Sequence, residues 1–438
     1  MGSLTLTAGG LYLPVVTEGV TGKFAATDGN GTTGAIDDPY SITAAFAAGA
    51  VSPGETLWLR GGTYYWPTRT YGVTGHPVYL QGTAESPITI RPYPGERAIM
   101  DGGVSNGTAP AHLRIRDLEV IVSENIGDAR ASDGQGEYTY DLGRPWGGIN
   151  FTAGTNLKFI NNIVHANMQG VGFWQNLSGN SELYGNLIYD NGWTVPNTDP
   201  PPDLKGQGHG IYTQNGGTHE DWKYIRNNML LDNWNNSAQA YGSSSAYVDR
   251  YWVSENIVAR GPHTYDGRFL IGGSRPSYQL RVHDNVSYHA ALQVGYNFYS
   301  GNRGDDVIAT GNRIWSKIEF GEMTNYTRSN NWDWYWLYWA NPKMDGVTVD
   351  PSATPFTFVY PNEYDSSRAH VAVMAFQEEE TATLNVSGFL SVGDNWELMD
   401  PQDFYGDPLQ SGTCSDTTIT VALADEWLCG VLMNRGSV

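Results

Sequence analysis

An asparagine followed by two mostly apolar positions occurs six times in the middle of this chain: Asn162-Ile163-Val164, Asn186-Leu187-Ile188, Asn228-Met229-Leu230, Asn256-Ile257-Val258, Asn285-Val286-Ser287 and Asn312-Arg313-Ile314. The intervals are 24, 42, 28, 29 and 27 residues. A repeat of about 25 residues, made of short strands and polar turns, marks a β-solenoid, whose coils bury their apolar side chains against the coils above and below. An Asn recurring at one corner can hydrogen-bond its equivalents in adjacent coils, and its side chain tolerates a bent backbone. Gly-rich strands precede the first three: Gly147-Gly148-Ile149-Asn150-Phe151, Gly170-Val171-Gly172-Phe173-Trp174 and Gly208-His209-Gly210-Ile211-Tyr212.

Composition narrows the alternatives. A chain of 438 residues exceeds what one compact core serves, which also favours an elongated repeat. Disorder is excluded by 40% hydrophobic and only 16% charged residues. The formal net charge of −21 argues against a nucleic-acid partner, whose binding rests on Lys and Arg meeting phosphates. The same charge disfavours a polyanionic glycan unless a local basic patch or bound calcium offsets it. No apolar run is long enough to span a bilayer, so no membrane partner is expected. Cys414 and Cys429 are the two cysteines, bonded or free. Sparse lysine and an acidic, aromatic-rich composition suit a secreted protein, although Met1-Gly2-Ser3 does not begin a secretory signal.

Upstream, Asp28-Gly29-Asn30-Gly31-Thr32 leads to Pro39-Tyr40-Ser41-Ile42 and an Ala-rich stretch over 43–50, then Pro53-Gly54-Glu55-Thr56-Leu57-Trp58-Leu59 and Gly61-Gly62-Thr63-Tyr64. With the Asn repeat, this order resembles the right-handed parallel β-helix proteins of the pectate-lyase-like superfamily. The resemblance covers about residues 25–340 and implies an all-β fold, a short helix capping the first coil, and a carbohydrate-active protein. It is silent on the reaction, because the scaffold hosts lyases, hydrolases, epimerases and phage adhesins. The expected organisation is an N-terminal segment over 1–24, a parallel β-helix over 25–342 and a small β-sandwich-like domain over 343–438. Strands are expected there at 369–376, 382–386, 395–398 and 417–422. The aromatic run from Trp332 to Trp339 reads as packing at the junction rather than as a sugar platform.

Two insertions, 124–146 and 192–206, precede Gly-rich strands and are expected to wall a groove across their outer faces. Alternation then sets its floor: with Ile149, Phe173 and Ile211 inward, Asn150, Trp174 and Tyr212 face out, followed by Gln239 or Tyr241, then Arg268, then Gln293. Trp193, at the root of the second insertion, joins this substrate-binding set. Aromatic faces stack on sugar rings and amides bond hydroxyls, so the floor suits an oligosaccharide or polysaccharide. The catalytic candidates are Asp203 and Lys205 in the second insertion, His209 between two glycines, and Glu220, Asp221 and Asp249. Asp221 and Asp249 each lie seven residues before a repeat Asn, which stacks them on adjacent coils. Two carboxylates about 4.8 Å apart can split their pKa values and act as acid and base. The competing reading is an Asp that bonds turn backbone.

Three functions follow. The first is a glycoside hydrolase using Asp203 with Glu220, Asp221 or Asp249. The second is a polysaccharide lyase with Lys205 or Arg268 as base and calcium or another Arg masking the uronate charge. The third is a non-enzymatic glycan-binding adhesin; the absence of a trimer signal favours a monomer instead. No metal-ligand motif or required cofactor is readable, and calcium enters only through the second reading.

Overall fold

A computed structural model describes residues 20–66, 75–123, 148–192, 208–217, 221–261, 267–296, 303–333 and 355–437. Thr21–Asp350 forms one compact unit, and Pro351–Val438 belongs to another.

The first unit is a solenoid whose coils each contribute short parallel strands to three rows. The first row includes Val104–Asn106, Val171–Ser178, Ile211–Thr213, Ala238–Gly242, Phe269–Gly273, Leu292–Tyr296 and Ile318–Phe320. The second includes Thr56–Leu59, Ile88–Pro92, Ala111–Arg116, Glu182–Tyr184, Lys223–Arg226, Asp249–Ser254 and Tyr278–His283. Strand Ile149–Ile160 runs round the corner, pairing with Val171–Ser178 through its first half and Glu182–Tyr184 through its second. The two rows thereby join into one 19-stranded sheet, and the third row is a separate sheet of 10 strands. Side chains alternate in and out along each strand, so Ile149, Phe151, Val171, Phe173, Ile211, Phe269, Leu292 and Val294 meet in one continuous core. Helix Ile42–Ala45, N-capped by Ser41 Oγ accepting from the Ala44 amide, adds Ala45 and Phe46 to that core at the N-terminal end.

The corner between the second and third rows explains the Asn repeat. From Asp117 onward a residue with φ between +53° and +71° makes the bend: Asp117, Asn161, Gly185, Asn227, Glu255, Asp284, Gly311 and Asn330. From Asn161 onward the next residue is the repeat Asn, fully buried in the central coils. Each Nδ2 donates to the Oδ1 of the next coil's Asn: 162 to 186 at 3.1 Å, 186 to 228 at 2.8 Å, 228 to 256 at 3.0 Å, 256 to 285 and 285 to 312 at 2.9 Å. A sixth link to a seventh Asn follows, Asn312 Nδ2 donating to Asn331 Oδ1 at 2.7 Å. The same Nδ2 atoms donate to carbonyls of the preceding coil, such as Phe159, Leu183 and Ile225, so both amide hydrogens are used. A second ladder occupies the corner between the third and first rows, Asn167 to Asn191 to Asn233, at 3.1 and 2.9 Å.

One inward position of the second row carries a cation. Lys223 is buried, and its Nζ donates to the carbonyls of Phe173 (3.2 Å), Trp174 (2.6 Å) and Gln214 (2.8 Å). Burial lowers its pKa well below that of an exposed lysine; the three acceptors favour the ammonium, which alone has three protons to donate.

The second unit packs a five-stranded antiparallel sheet against a two-stranded one. Val371, Val373, Leu398 and Leu432 of the larger meet Leu384, Ile419 and Val421 of the smaller in a separate core, a sandwich-like arrangement. The observed strands Arg368–Met374, Thr381–Asn385, Asn395–Met399 and Thr418–Ala422 overlap the expected ones within one or two residues. Phe356–Pro361, Gln410–Thr413 and the 10-residue Trp427–Gly436 are additional. Cys414 and Cys429 are free thiols.

Candidate active site

The outer face of the first row carries the residues best placed to meet a ligand. Strand register sets Asn150, Gly172, Tyr212, Gln239, Leu270, Gln293 and Glu319 in one line across successive coils. Gly172 is obligatory: a Cβ there would lie 2.3 Å from the Trp174 indole nitrogen and 2.5 Å from Asn150 Oδ1. Trp174 folds over this gap and its Nε1–H donates to Asn150 Oδ1. The Trp174 ring stands 4.9 Å from Tyr212, tilted by 37°, and Tyr212 stands 5.3 Å from His209. Tyr212 is hydrogen-bonded to Gln239, whose Oε1 accepts from Asn236 Nδ2. Tyr241, two positions along the same strand, shares this face. Asn150, Trp174, Tyr212 and Tyr241 are therefore brought together as the alternation predicts.

Arg268 departs from its expected place. Gln239 pairs with Leu270, not with Arg268, which immediately precedes strand Phe269–Gly273 and lies one alternation upstream. There its charge bears on both His209 and Glu319. Burial alone would raise the Glu319 pKa; hydrogen bonds from Lys317 (2.5 Å) and Gln293, with the charges of Lys317 and Arg268, hold it below the ordinary value. Lys317 and Glu319 were not singled out in the sequence, although the alternation running on from Gln293 leads to them.

His209 is buried, and its pKa is pushed down to about 3, by burial foremost; the Asn236 backbone pulls the other way and Arg268 adds to the fall. It is a neutral imidazole at any working pH. Neither ring nitrogen meets a partner in good hydrogen-bond geometry, and the Oε1 of buried Gln169 and Oδ1 of buried Asn236 are likewise unsatisfied. The start of this row thus concentrates buried polar groups whose hydrogen-bonding capacity is not fully used.

Asp221 and Asp249 lie at equivalent positions of adjacent coils, two residues before the paired Lys223 and Tyr251, but the acid-base role expected of them is corrected. Asp249 opens the second-row strand Asp249–Ser254, and Asp221 precedes Lys223–Arg226, so both sit around the corner from Tyr212. Asp221 Oδ2 accepts from the Gly179 amide of the preceding coil at 2.7 Å. Asp249 Oδ1 accepts from the Tyr278 amide of the following coil at 3.1 Å. The carboxylates reach in opposite directions along the axis and bond backbone, which is the turn role rather than that of a shared acid and base. Burial raises Asp249 to about 6, opposed by the Tyr278 amide and by the charges of Arg275 and Arg250, and its Oδ2 has no partner. Trp193, Asp203, Lys205 and Glu220, with the insertions 124–146 and 192–206 apart from Gly192, lie outside the described residues.

A family model described as "Right handed beta helix region" matches residues 113–258. A curated relative, pectate lyase PEL9 of Emericella nidulans, is 40% identical over 80 residues, 18% of this chain and 18% of the relative. Residues 113–258 thus belong to a right-handed parallel β-helix, as the parallel rows around one core also show. Among solved structures, this β-helix is similar to that of pectate lyase Pel9A, with a TM-score of 0.43 and 16% identity over 72% of this chain and 82% of the other. Pectin methylesterase PemA from Erwinia chrysanthemi gives a TM-score of 0.28 and 12% identity over 62% and 78%. The matched stretch spans less than a fifth of the PEL9 sequence. This likeness overturns the glycoside-hydrolase reading, since the curated relative is a pectate lyase; of the carboxylates named for hydrolysis, Asp221 and Asp249 bond backbone in different coils.

Proposed function

We propose that this protein is a polysaccharide lyase that cleaves a uronate-containing, pectate-like glycan by β-elimination on the outer face of the first strand row. The observation that carries the reading is the Trp174–Tyr212 aromatic pair beside Arg268 on one face of a β-helix related in sequence to a pectate lyase. The aromatic faces take sugar rings, and Asn150 and Gln239 take hydroxyls. Arg268 meets the uronate carboxylate and stabilises the negative charge that builds on it as the C5 proton leaves. That proton passes to a base, the C4–C5 double bond forms, the C4–O bond breaks, and the departing oxygen takes a proton. Lys205 is the candidate base, and it lies outside the described residues. No group of three or more His, Cys, Asp or Glu able to hold a cation occurs among the described residues, so no step is routed through calcium. We read the enzyme as a secreted monomer; no helix among the described residues is long and apolar enough to cross a membrane.

The test is a panel of de-esterified polygalacturonate and neutral glycans, followed by ultraviolet absorbance of the unsaturated uronate and by reducing ends, with and without chelator. Both signals should rise together on polygalacturonate, and Arg268→Gln should slow them at least 100-fold, the range lost with one oxyanion-stabilising group. Reducing ends without absorbance, or turnover of neutral glycans alone, would overturn the reading.

A further inference from the structure

The second row has its own outward line, around the corner from the first. Register sets Arg114, Lys158, Glu182, Tyr224, Trp252 and Arg281 side by side on six successive coils. Across it lies a shallow groove of about 510 Å³ lined by the first five of these and by Arg226 from the neighbouring line. Buried Glu182 anchors two cations at once, Lys158 at 3.0 Å and Arg226 at 2.5 Å. Arg114 is held by donating to the Asn156 carbonyl at 3.2 Å and Asn156 Oδ1 at 3.0 Å. Three cations therefore face one carboxylate, a local excess of positive charge on a chain whose net charge is −21. Half-buried Tyr224 and Trp252 follow directly, with ring centroids 6.4 Å apart, and Trp222 props Trp252 edge-on at 6.0 Å.

Fixed guanidinium and ammonium groups on the first coils, followed on the next two by aromatic faces, each step about 4.8 Å, match a chain in which every flat sugar ring carries a carboxylate. We propose that this groove is a second, non-catalytic binding site for an anionic, uronate-bearing oligosaccharide, with Arg114, Lys158 and Arg226 on carboxylates and Tyr224 and Trp252 on ring faces. A glycan is favoured over nucleic acid because the acidic remainder of the molecule repels a polyanion as dense as a phosphate backbone. The site also supplies what the composition lacked, a local basic patch able to hold an acidic glycan against an acidic protein. It shares its ligand class with the lyase reading but not its residues.

Titration calorimetry at low salt tests it, using the Arg268→Gln protein so that turnover does not consume the ligand. A galacturonate hexamer should bind saturably, and at least tenfold more tightly than a glucose hexamer. Adding Arg114→Gln and Trp252→Ala should weaken the galacturonate hexamer at least tenfold, and so should Arg114→Glu alone, which leaves the Trp252 packing in place if the double change lowers the melting temperature. Unaltered binding in both variants, equal binding of the neutral hexamer, or no binding would overturn the proposal. Turnover of polygalacturonate with no second-row binding sinks this site and spares the lyase reading; binding without turnover does the reverse.

Discussion

Asn228 sits in the middle of the ladder, and its replacement by Ala tests whether the ladder holds the coils in register. Its Nδ2 donates to Asn256 Oδ1 (3.0 Å), the Leu183 carbonyl (3.1 Å) and the Arg226 carbonyl (3.0 Å). Its Oδ1 accepts from the Asn186 amide (3.0 Å) and Asn186 Nδ2 (2.8 Å). With two hydrogens on Nδ2, one shared between two acceptors, these are four bonds; Ala removes them all and leaves the Leu183 carbonyl and the Asn186 amide buried without that partner. At about 1 kcal/mol for each lost bond, the cost is roughly 4 kcal/mol. Leu should be no better, since the orphaned groups remain. At the end of the ladder, Asn162 Oδ1 accepts only from the Leu118 amide, at 3.1 Å, and the preceding coil carries buried Leu118 at the rung. Asn162→Ala should therefore cost less, about 3 kcal/mol by the same rule. The assay is equilibrium unfolding in guanidinium, followed by tryptophan fluorescence and by circular dichroism, because a solenoid can lose coils separately and only coincident curves license a single free energy. Asn228→Ala within about 1 kcal/mol of wild type, or Asn162→Ala costing more, would refute the reasoning.

Two further predictions concern buried ionisable groups. Lys223→Met should destabilise by about 2 to 4 kcal/mol, because methionine fills the space but leaves the Phe173, Trp174 and Gln214 carbonyls without a donor; a variant as stable as wild type in guanidinium would show that the lysine is dispensable. For Asp249 the folded protein raises the pKa from 3.8 to about 6, so it favours the protonated acid. That contribution is complete below pH 3.8 and is lost as pH rises through about 6. Asp249→Asn should accordingly be the more stable protein at pH 8, by roughly 3 kcal/mol, with the difference closing below pH 4. A difference in melting temperature that does not change with pH would refute this.

The coil corners were legible because they impose a chemical requirement that sequence records directly. A positive φ followed by a buried amide admits few residues, and Asn-apolar-apolar marks it. Asn331 escaped that pattern because Trp332-Asp333 follows it after a gap of only 19 residues. The Asn167, Asn191, Asn233 ladder escaped because Met168, Gly192 and Trp234 begin an irregular turn and not a strand. Facing direction was readable along the first row, where alternation places Asn150, Trp174, Tyr212, Gln239, Tyr241 and Gln293 on the outer face. The misplacement of Arg268 came from counting positions without knowing which residue starts the strand; the error was two residues, Leu270 and not Arg268 facing Gln239, which keeps the face but moves the side chain along the strand. The carboxylates show the other limit: spacing from a ladder Asn fixed the coil of Asp221 and Asp249, but the amide each bonds is set by backbone of another coil, which no local pattern reports. Lys223 was hidden for a related reason, since its acceptors are carbonyls up to 50 residues away.

Because bend and rung are chemically the same from one coil to the next, the chain between two equivalent corners is a removable cassette. Excising 256–284 would deliver Asn285 to the place Asn256 now fills, with the same acceptor for Asn228 Nδ2 and the same bent backbone just before it. Such a scaffold can gain or shed length in whole steps while its interior chemistry stays closed, so variation in rod length is a cheap evolutionary route to grooves of different reach.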